Sequence, residues 1–422
     1  MSEERLQVVN VTSGVSIVIP SWNGLELLKR FLPSVIAAAS HYSQQFNCST
    51  EIVIVNDGSI DETTAWLLSQ GFAEARSDAT GRPGDATGRP GGATGRPGDA
   101  ATGRPGDGAI RGSFMNAGSE PQSPPRPVSL SPPLLSLRLI SNETNRGFGP
   151  TCNRGFEAAI YPLVFLLNND VEVEINAIAP LVENFGDASV FAAHCRVFDL
   201  ESGHEVGTGK LGSFARGFIR VHRSYVCVAD ATNNRGPLYS MFAGGGSAMF
   251  DRRKFLEIGG FDGLLAPIYW EDVDISYRAW KRGLSVVYEP RSVVHHRVSS
   301  TMRKVNQRKV RRMQQRHRLI FHWVNLHDRG LMISHVLWIA LLSMTAPLRL
   351  QPGFLFSVGS ALKKLPEIRK RRLEEERAAR RTDREVFEIF TSLERRADVF
   401  GYDNDAELEA IRAKQSNSQQ NF

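Results

Sequence analysis

The feature that most constrains this chain is a series of short, strongly apolar segments that each end at turn-forming residues. Val15–Pro20 (VSIVIP), Glu51–Val55 (EIVIV) and Leu163–Leu167 (LVFLL) are such segments, and Leu137–Ser141 has a similar character. Runs of this length that are rich in β-branched residues are typical of buried strands. The first half of the chain is therefore predicted to supply strands to one sheet.

Helical spacing of apolar residues separates these strands. It predicts helices over Leu25–Ser40, from an N-cap at Asp61 through Leu68, and over Gly149–Ile160. The alternation predicts an α/β fold with a mostly parallel, Rossmann-like sheet and helices on both faces. On such sheets ligands bind at the carboxyl ends of the strands.

Two acidic residues stand at predicted strand ends. Asp57 follows the second strand, and Asp170 follows the fourth beside the amides Asn168 and Asn169. Turns are one explanation for both, because Asn and Asp are common there. The alternative is that Asp57 accepts a hydrogen bond from a nucleotide and that Asp170 binds Mg²⁺ or Mn²⁺, which suit oxygen ligands.

Residues 72–133 interrupt the alternation. Within them a heptad that begins at Asp78 (DATGRPG) is followed by near-copies that begin at Asp85, Gly92 and Asp99. Gly and Pro dominate, and no position of the repeat can form the buried seam of a coiled coil. We predict a flexible, disordered insertion that loops away from the sheet.

In the second half, Trp270–Asp274 (WEDVD) places three carboxylates at the start of a helix predicted within Ile268–Gly283. Helix N-termini stabilise carboxylates, so capping explains one of them. Three acids beside an aromatic residue exceed what one cap needs. Asp272, next to Glu271, is therefore the candidate general base that takes a proton from an attacking hydroxyl.

A pair of histidines follows a strand predicted over Arg291–His295. Either His295 or His296 could join Asp170 as a metal ligand. The alternation of Val293 and His295 along the strand favours His295 by a small margin, because it directs that ring to the same side as the inner face.

Other elements of the second half are a helix near Arg252–Ile258 and a strand over Leu284–Tyr288. Leu331–Ala346 is apolar but shorter than the roughly 20 residues that a transmembrane helix needs. An interfacial helix, a re-entrant segment and a buried helix all fit it.

Positive charge is concentrated in two segments. Arg303–Arg318 holds eight Lys or Arg residues and no acid, and Lys363–Arg381 also carries an excess of base. Solvated helix faces are one explanation. Attraction to an anionic membrane surface or to substrate phosphates is the other.

The amino-acid composition limits the class of protein and the cellular compartment that can be expected. An apolar content of 41% is ordinary for a globular protein and too low for a polytopic membrane protein. The four cysteines form no CxxC pair, and the segment MSEERLQVVN lacks a signal-peptide core. We expect a cytoplasmic catalytic part at the inner face of the cell membrane. No nucleic-acid partner is expected, because zinc spacing, RNP and helix-turn-helix signatures are missing from the sequence.

Taken together, these segments resemble family 2 glycosyltransferases, particularly the bacterial rhamnosyltransferase-like branch. The matching stretches keep the family's order over residues 15–325, and they are VSIVIPSWNG, IVIVNDGSIDET, NRGFGPTCNRG, VFLLNNDVEV, FAGGGSAMFDRRKFLEIGGFD and YWEDVDISYRAWKRGLSVVYEPRSVVHH. The resemblance implies a GT-A fold and an inverting transfer of a sugar from a nucleotide donor to an acceptor hydroxyl.

The resemblance also assigns roles to residues of this chain. Contacts to the donor are assigned to Pro20, Ser21, Trp22, Asn23, Asp57, Asn145, Arg146, Gly147, Asn153, Asn168, Asn169, Gly245 and Gly246. Asp170 with His295 or His296 would hold Mn²⁺ or Mg²⁺, and Asp272 beside Glu271 would be the base. The triplet Asn168–Asp170 departs from the family's Asp-x-Asp pattern, because it has only one acid.

The implied organisation is a catalytic domain over residues 1–330, with a nucleotide-binding half at 15–170 and an acceptor-binding half at 240–325. A helical, membrane-associated region over residues 331–422 follows. The expected donor is a UDP- or dTDP-linked hexose or rhamnose. The expected acceptor is a saccharide or lipid-linked saccharide in cell-surface polysaccharide or glycolipid assembly.

Two alternative functions are considered. A nucleotidyltransferase would need a glycine-rich loop with Arg and Lys after the first strand, and Ser21–Gly24 lacks that basic signature. The other is a catalytically inactive protein that binds sugar nucleotides or serves as a scaffold, and the presence of Asp272 argues against it.

Overall fold

A computed structural model gives the structure of the chain and describes residues 14–74, 134–227, 236–297, 306–348, 352–404, 406–411 and 413. The chain divides into two compact units, residues 1–77 with 133–422 and residues 78–132. All described residues belong to the first unit. The insertion predicted over residues 72–133 begins too early, because Phe72 is buried and Ala73 and Glu74 form a strand that pairs with Arg138 and Leu139. Its heptads, from Asp78 onward, lie outside the described residues.

Fifteen strands are described. In chain order they are β1 (Val15–Ser21), β2 (Thr50–Asp57), β3 (Ala73–Glu74), β4 (Leu135–Asn142), β5 (Leu163–Leu167), β6 (Val171–Val173), β7 (Val190–Asp199), β8 (Glu205–Gly207), β9 (Gly209–Lys210), β10 (Ser213–Ala215), β11 (Phe218–Arg220), β12 (Ser224–Cys227), β13 (Ser247–Asp251), β14 (Ser285–His296) and β15 (Val399–Tyr402).

The described α-helices alternate with these strands at first and then follow one another. They are α1 (Leu25–Phe46), α2 (Thr63–Ser69), α3 (Phe148–Ala158), α4 (Ile178–Glu183), α5 (Arg252–Glu257), α6 (Glu271–Lys281), α7 (Gln307–Asn325), α8 (Arg329–Thr345), α9 (Pro352–Leu362), α10 (Leu365–Ala378) and α11 (Asp383–Glu394).

The main sheet has ten strands in the order β3-β4-β2-β1-β5-β13-β7-β14-β6, with β8 paired to β7. Neighbouring strands from β3 to β5 are parallel, and so are β7 and β14. β13 runs antiparallel to both β5 and β7, and β6 and β8 are antiparallel as well. The predicted mixed, mostly parallel sheet flanked by helices is confirmed.

Three of the predicted elements differ from the structure in their details. The strands predicted over Leu284–Tyr288 and Arg291–His295 are one strand, β14, with an irregularity between Glu289 and Val293 where its register against β7 shifts. Helix α2 begins at Thr63, and its N-cap is Glu62. Asp61 instead accepts hydrogen bonds from the Thr63 and Leu25 amides, so its carboxylate joins the starts of α1 and α2.

The sheet separates two buried apolar clusters. Alternate residues of β1 divide between them, with Ile17 and Ile19 on the face covered by α1 and α4 and Val18 on the other. The second face packs against α3, α5 and α6, and also against α11, which contributes Val386 and Phe390. The C-terminal region predicted to begin at residue 331 thus shares a core with the preceding part of the chain.

A single buried carboxylate joins α11 to α6 and to the loop before α8. Asp383 is fully buried, and it accepts hydrogen bonds from the Tyr277 hydroxyl at 2.7 Å and the Lys281 ammonium at 2.6 Å. Its second oxygen accepts from the backbone amides of His327 and Asp328. Removal of this carboxylate would leave the buried Lys281 without its counter-charge.

We expect Asp383→Ala to lower the free energy of unfolding by about 3–5 kcal/mol, because an unpaired buried charge is costly. The matched control is Arg384→Ala, since Arg384 is exposed and forms a surface pair with Asp328. Its loss should be under about 1 kcal/mol. Urea unfolding of both variants checks the prediction, and equal losses would contradict it.

Candidate active site

The loops after β1 and β2 are joined at the carboxyl edge of the sheet. The Asn23 amide donates to the Ser59 hydroxyl at 2.8 Å, and the Asn23 side chain accepts from the Ile60 amide at 2.9 Å. Asn23 has a φ of 47°, a left-handed conformation that asparagine tolerates. Trp22, beside it, is 50% exposed, so an aromatic surface stands open at this edge.

The end of β1 also binds the polar triplet after β5. Pro20 and Ser21 are buried within β1. The Ser21 hydroxyl accepts a hydrogen bond from the side-chain amide of Asn169 at 2.9 Å. A Cβ at Gly24 would lie only 2.4 Å from the same amide nitrogen. The Asn169 side chain is therefore directed toward β1, where it helps to fix the loop that follows this strand.

Asp57, at the end of β2, holds the loop that follows β4. Its Oδ1 accepts from the Asn142 side chain at 2.7 Å and the Arg146 amide at 2.9 Å, and its Oδ2 accepts from the Gly147 amide at 3.0 Å. The turn role expected for Asp57 belongs to Asn56, whose side chain accepts from the Ser59 amide. The buried Asp57 carboxylate thus fixes the shape of the Asn145–Gly147 loop.

That loop leaves a basic side chain exposed at the edge. The Asn145 side chain accepts from the Gly147 amide, and Gly147 has a φ of 90°. A Cβ at Gly147 would lie 2.8 Å from the Pro267 carbonyl oxygen, so only glycine fits there. Arg146 is exposed, and within the described ranges its guanidinium pairs with no carboxylate.

Asn153 has a packing role in the structure. Its amide nitrogen donates to the Phe261 carbonyl at 2.9 Å, and its amide oxygen accepts from the Phe261 amide at 2.8 Å. Both ends of the side chain are used on one backbone unit. The assignment of Asn153 to the donor pocket is therefore not supported by the geometry, because the side chain faces the turn after α5.

A glycine loop before β13 brings the strand-end triplet and α6 together. The Gly246 carbonyl accepts a hydrogen bond from the backbone amide of Asn168 at 3.1 Å. A Cβ at Gly246 would lie 2.3 Å from the Asn168 side chain. The neighbouring Gly245 amide donates to Asp272 Oδ2 at 3.4 Å. Asp272 and the triplet that ends at Asp170 consequently lie at the same edge of the sheet.

The three acids at the start of α6 have different surroundings. Asp272 is half-buried, and its Oδ1 accepts from the Val273 amide at 2.8 Å. Asp274 is buried and accepts from the Arg278 guanidinium at 2.7 Å and the Asn325 amide at 2.6 Å. Glu271 is buried, and within the described ranges its Oε2 has no hydrogen-bond partner. Asp274 is structural, whereas the other two remain available for chemistry.

Burial controls the acidity of this cluster. It raises the pKa of Asp272, although hydrogen bonds from the Val273 and Gly245 amides counteract part of that effect. The pKa of Glu271 is raised well above its usual range, first by desolvation and then by the adjacent charge of Asp272. Both neighbouring carboxyls are therefore weaker acids than usual, a property common among groups that transfer protons.

The segment before α6 is strained and is held by α7. Tyr269 and Trp270 have φ values of 79° and 75°, which non-glycine residues seldom adopt. His317 lies with Nδ1 3.0 Å from the Ile268 carbonyl and 3.1 Å from the Tyr269 carbonyl. Burial lowers the pKa of His317 to about 4, so the neutral ring donates its N–H here. Arg316 also donates to the Ala266 carbonyl.

Asp170 faces one of the two predicted histidines. His296 Nε2 lies 3.0 Å from Asp170 Oδ1, where the antiparallel pairing of β14 with β6 places His296 opposite Val171. His295 points to the other side, with Nε2 3.1 Å from Glu174. The preference for His295 is not supported, because the inward face of this strand carries Ser292 and Val294 rather than Val293.

The ligands available to a cation are few. In the described part of the chain, no three His, Cys, Asp or Glu side chains come together as a potential metal site. Asp170 and His296 offer one oxygen and one nitrogen, a set that Mn²⁺ accepts. A cation with only two protein ligands would take its other ligands from substrate phosphates and water, as Mg²⁺ commonly does.

Sequence reasoning missed two residues that support the site. His194, on β7, is buried, and its Nδ1 accepts from the Gly244 amide at 3.3 Å, which positions the start of the glycine loop. Burial lowers the pKa of His194 to about 3, so the ring is neutral. His317 is the second. The sequence offered no signal for either, since neither stands next to a recognisable motif.

Part of the chain is similar to a known family. A family model described as "Glycosyl transferase family group 2" matches residues 164–364, a little under half of the sequence. The match includes Asp170, Gly245, Asp272 and His296. No curated protein sequence matches the chain.

The chain is also similar to solved structures that hold nucleotides or nucleotide-sugars. They include GalNAc-T7 with UDP, GalNAc and Mn²⁺, with 16% identity, a TM-score of 0.48 and coverage of 84% of this chain. The chain spans 58% of that protein's length. The mannosyltransferase PcManGT of Pyrobaculum calidifontis, with GDP-Man and Mn²⁺, shows 13% identity, a TM-score of 0.42 and coverage of 90% and 86% of the two chains. S. aureus TarS 1–349 in complex with UDP-GlcNAc shows 12% identity and a TM-score of 0.43. The match covers 90% of this chain and 91% of that one.

We expect Glu271→Gln to stabilise the protein increasingly as pH rises. Because its pKa is raised by folding, the folded state holds this proton more tightly than the unfolded chain, and stability falls as pH rises above the usual carboxyl range. The melting temperature of the variant relative to wild type should therefore be higher at about pH 8 than at about pH 5. Each kcal/mol gained corresponds to roughly 1–2 °C in a chain of this length.

Thermal unfolding at both pH values measures this difference. The control is Glu257→Gln, because Glu257 is exposed and pairs with Arg253 one turn earlier on α5. Its melting temperature should follow wild type at both pH values. A Glu271→Gln variant that also followed wild type would show that this carboxyl is not destabilised by burial.

Proposed function

We propose that this protein is an inverting glycosyltransferase that moves a sugar from a nucleoside-diphosphate donor to an acceptor hydroxyl. The observation that carries the proposal is the glycine loop: Gly245 binds Asp272, while Gly246 packs on the triplet that ends at Asp170. A candidate base and a candidate metal ligand are thereby brought to one edge of the sheet. The family match over residues 164–364 includes all of these residues and supports the same function.

The donor's nucleoside would occupy the edge formed by the loops after β1, β2 and β4. Trp22 offers an exposed aromatic surface against which a base can stack. Arg146 offers a guanidinium, free of a carboxylate partner within the described ranges, that can bind a phosphate. Asp57 acts through the backbone, because its carboxylate holds the Arg146 and Gly147 amides.

The diphosphate would be bound beside Asp170 and His296. A divalent cation held there, Mn²⁺ or Mg²⁺, would neutralise the charge that develops on the departing diphosphate. The chain's own contribution is to place one carboxylate and one imidazole at this position with their geometry fixed by β14 and β6.

Asp272 would remove the proton from the acceptor hydroxyl. Among the described residues, its Oδ2 accepts one long contact, from the Gly245 amide at 3.4 Å, which leaves capacity to accept a hydrogen bond from the acceptor. A single base acting on one attacking hydroxyl gives one displacement at the anomeric carbon, and hence inversion. Glu271, whose raised pKa favours its neutral form, would bind the substrate as a hydrogen-bond donor.

The finer specificity follows from the resemblance described above. We propose a UDP- or dTDP-linked hexose or rhamnose as the donor and a saccharide or lipid-linked saccharide as the acceptor. The biological setting would be assembly of a cell-surface polysaccharide or glycolipid.

We expect Asp272→Asn to lower the rate of sugar transfer on the order of 10²–10⁴-fold, because an amide cannot accept the proton. Binding of UDP or dTDP with Mn²⁺ should be unchanged, since the backbone amide contact to residue 272 remains possible. Glu172→Gln, an exposed acid on β6, is the control and should transfer at the wild-type rate. Nucleotide release with saccharide acceptors and calorimetric nucleotide binding provide the two measurements.

The outcome discriminates among the functions considered. Full-rate transfer by Asp272→Asn would remove this residue as the base. Wild-type protein that binds UDP and Mn²⁺ tightly but releases no nucleotide with any acceptor would favour the scaffold function. Formation of a nucleotide–sugar bond from a nucleoside triphosphate would favour a nucleotidyltransferase.

The two histidines provide a matched test of the metal site. We expect His296→Ala to weaken Mn²⁺ binding in the presence of UDP by at least about tenfold, because a direct ligand is lost. His295→Ala removes a neighbouring ring that contacts Glu174 and should leave Mn²⁺ affinity unchanged. Calorimetric titration with Mn²⁺ measures both, and equal affinities would contradict the assignment of His296.

A further inference from the structure

Helices α8 and α9 expose an unusual number of large apolar side chains. On α8 these are Ile333, Val336, Leu337, Leu341 and Met344, with exposures of 45–75%. Their spacing of three to four residues places them on one side of the helix. Leu355, Phe356 and Leu362 on α9 are 41–64% exposed. We name these eight residues the apolar face.

The opposite side of α8 is fixed to the body of the protein. His335 is fully buried, with Nδ1 2.6 Å from the Gly217 carbonyl, and Trp338 packs against Gly217. Leu342 joins the same buried cluster as Ile320 of α7. A helix that is apolar all round is normally buried on every side. Here one side is packed and the other is open, so the alternative of a buried helix does not describe α8.

Helix α8 is too short to be a transmembrane helix. Its 17 residues span only about 26 Å, less than the roughly 30 Å hydrocarbon core of a bilayer. None of the described helices is long and apolar enough to cross a membrane. An apolar surface larger than single scattered residues marks a binding site for another surface. The apolar face therefore suits contact with a surface rather than passage through it.

Basic side chains lie beside the α9 part of the apolar face. The first turns of α7 expose Arg308, Lys309, Arg311 and Arg312, and Lys363 and Lys364 directly follow α9. The two helices are in contact there, because the Arg312 guanidinium lies over the Phe356 ring at 5.1 Å. We name these six residues the basic rim. Among them, Lys364 has a carboxylate partner, Glu367.

We propose that the apolar face and the basic rim dock this protein on the surface of an anionic phospholipid bilayer. Apolar side chains would enter the boundary between headgroups and acyl chains, while the basic rim binds lipid phosphates. Charge favours this occupant over a second copy of the chain. An isologous dimer through the apolar face would bring two basic rims together. The proposal does not depend on the sugar-transfer chemistry.

Vesicle co-sedimentation of the full chain tests the proposal. We expect binding to vesicles of phosphatidylcholine with phosphatidylglycerol, weaker binding to phosphatidylcholine alone, and a decrease as NaCl is raised. Leu337→Glu with Met344→Glu should lower the partition coefficient at least about tenfold, because each side chain loses its burial in lipid. Lys309→Glu with Arg311→Glu should remove the preference for the anionic vesicles.

Matched controls separate these surfaces from the rest of the molecule. Leu68→Glu with Ile160→Glu replaces two exposed apolar residues outside α8 and α9, and Lys29→Glu with Arg253→Glu reverses two exposed bases elsewhere. Both control pairs should bind anionic vesicles like wild type. Circular dichroism and thermal unfolding verify that every variant is folded.

Two results would overturn the proposal. One is equal vesicle binding by wild type and by the folded Leu337→Glu, Met344→Glu variant. The other is a wild-type dimer in analytical ultracentrifugation that this variant dissociates, which would assign the apolar face to a second copy.

Discussion

The close approach of backbone at Gly245 and Gly246 is the constraint on which the candidate site depends. Gly246 leaves no room for a side chain beside Asn168, and the Gly245 amide reaches Asp272. A Cβ at Gly246 would lie 2.3 Å from the Asn168 side chain and displace it, and a Cβ at Gly245 would press on the Phe148 ring at 3.1 Å. Because β13 starts directly after this loop and pairs with β5, the loop is fixed by the sheet itself. The arrangement is therefore built into the fold before any ligand binds, which is the condition for electrostatic preorganisation.

Positioning of the acids also requires strain, and α7 supplies the contacts that maintain it. Tyr269 and Trp270 adopt left-handed backbone conformations that cost of order 1–3 kcal/mol each. His317 and Arg316 compensate by donating hydrogen bonds to the carbonyls of this segment, and the neutral His317 ring can accept from the adjacent Arg316 guanidinium through Nε2. The carboxylate of Asp272 thus depends on a helix that begins more than thirty residues later in the chain.

The sequence predicted the parts of the fold whose signals are local. β1, β2 and β5 are continuous apolar runs, so their strands and the polar residues at their ends could be located from periodicity. β7 and the antiparallel position of β13 could not, since both depend on partners distant in sequence. The residues of the candidate site divide in the same way. Asp170 and Asp272 stand at the ends of secondary-structure elements, so the sequence could locate them. The contact of Asn153 with Phe261 and the contact of His296 with Asp170 depend on tertiary structure. The preference for His295 assumed that Val293 lies on the inner face of the strand, whereas the buried residues there are Ser292 and Val294.

Helix α7 links the proposed membrane surface to the proposed catalytic edge. Arg312, which contacts Phe356 on α9, precedes His317 by five residues, or about 8 Å along the helix axis. His317 in turn binds the segment that leads into Asp272. A bilayer in contact with α9 would therefore lie within a short distance of the segment that leads into Asp272, the proposed base. An acceptor whose hydroxyl is carried by a lipid anchor would suit this arrangement, because docking at α9 would bring its headgroup within about two turns of α7 from the residue that binds the segment before α6.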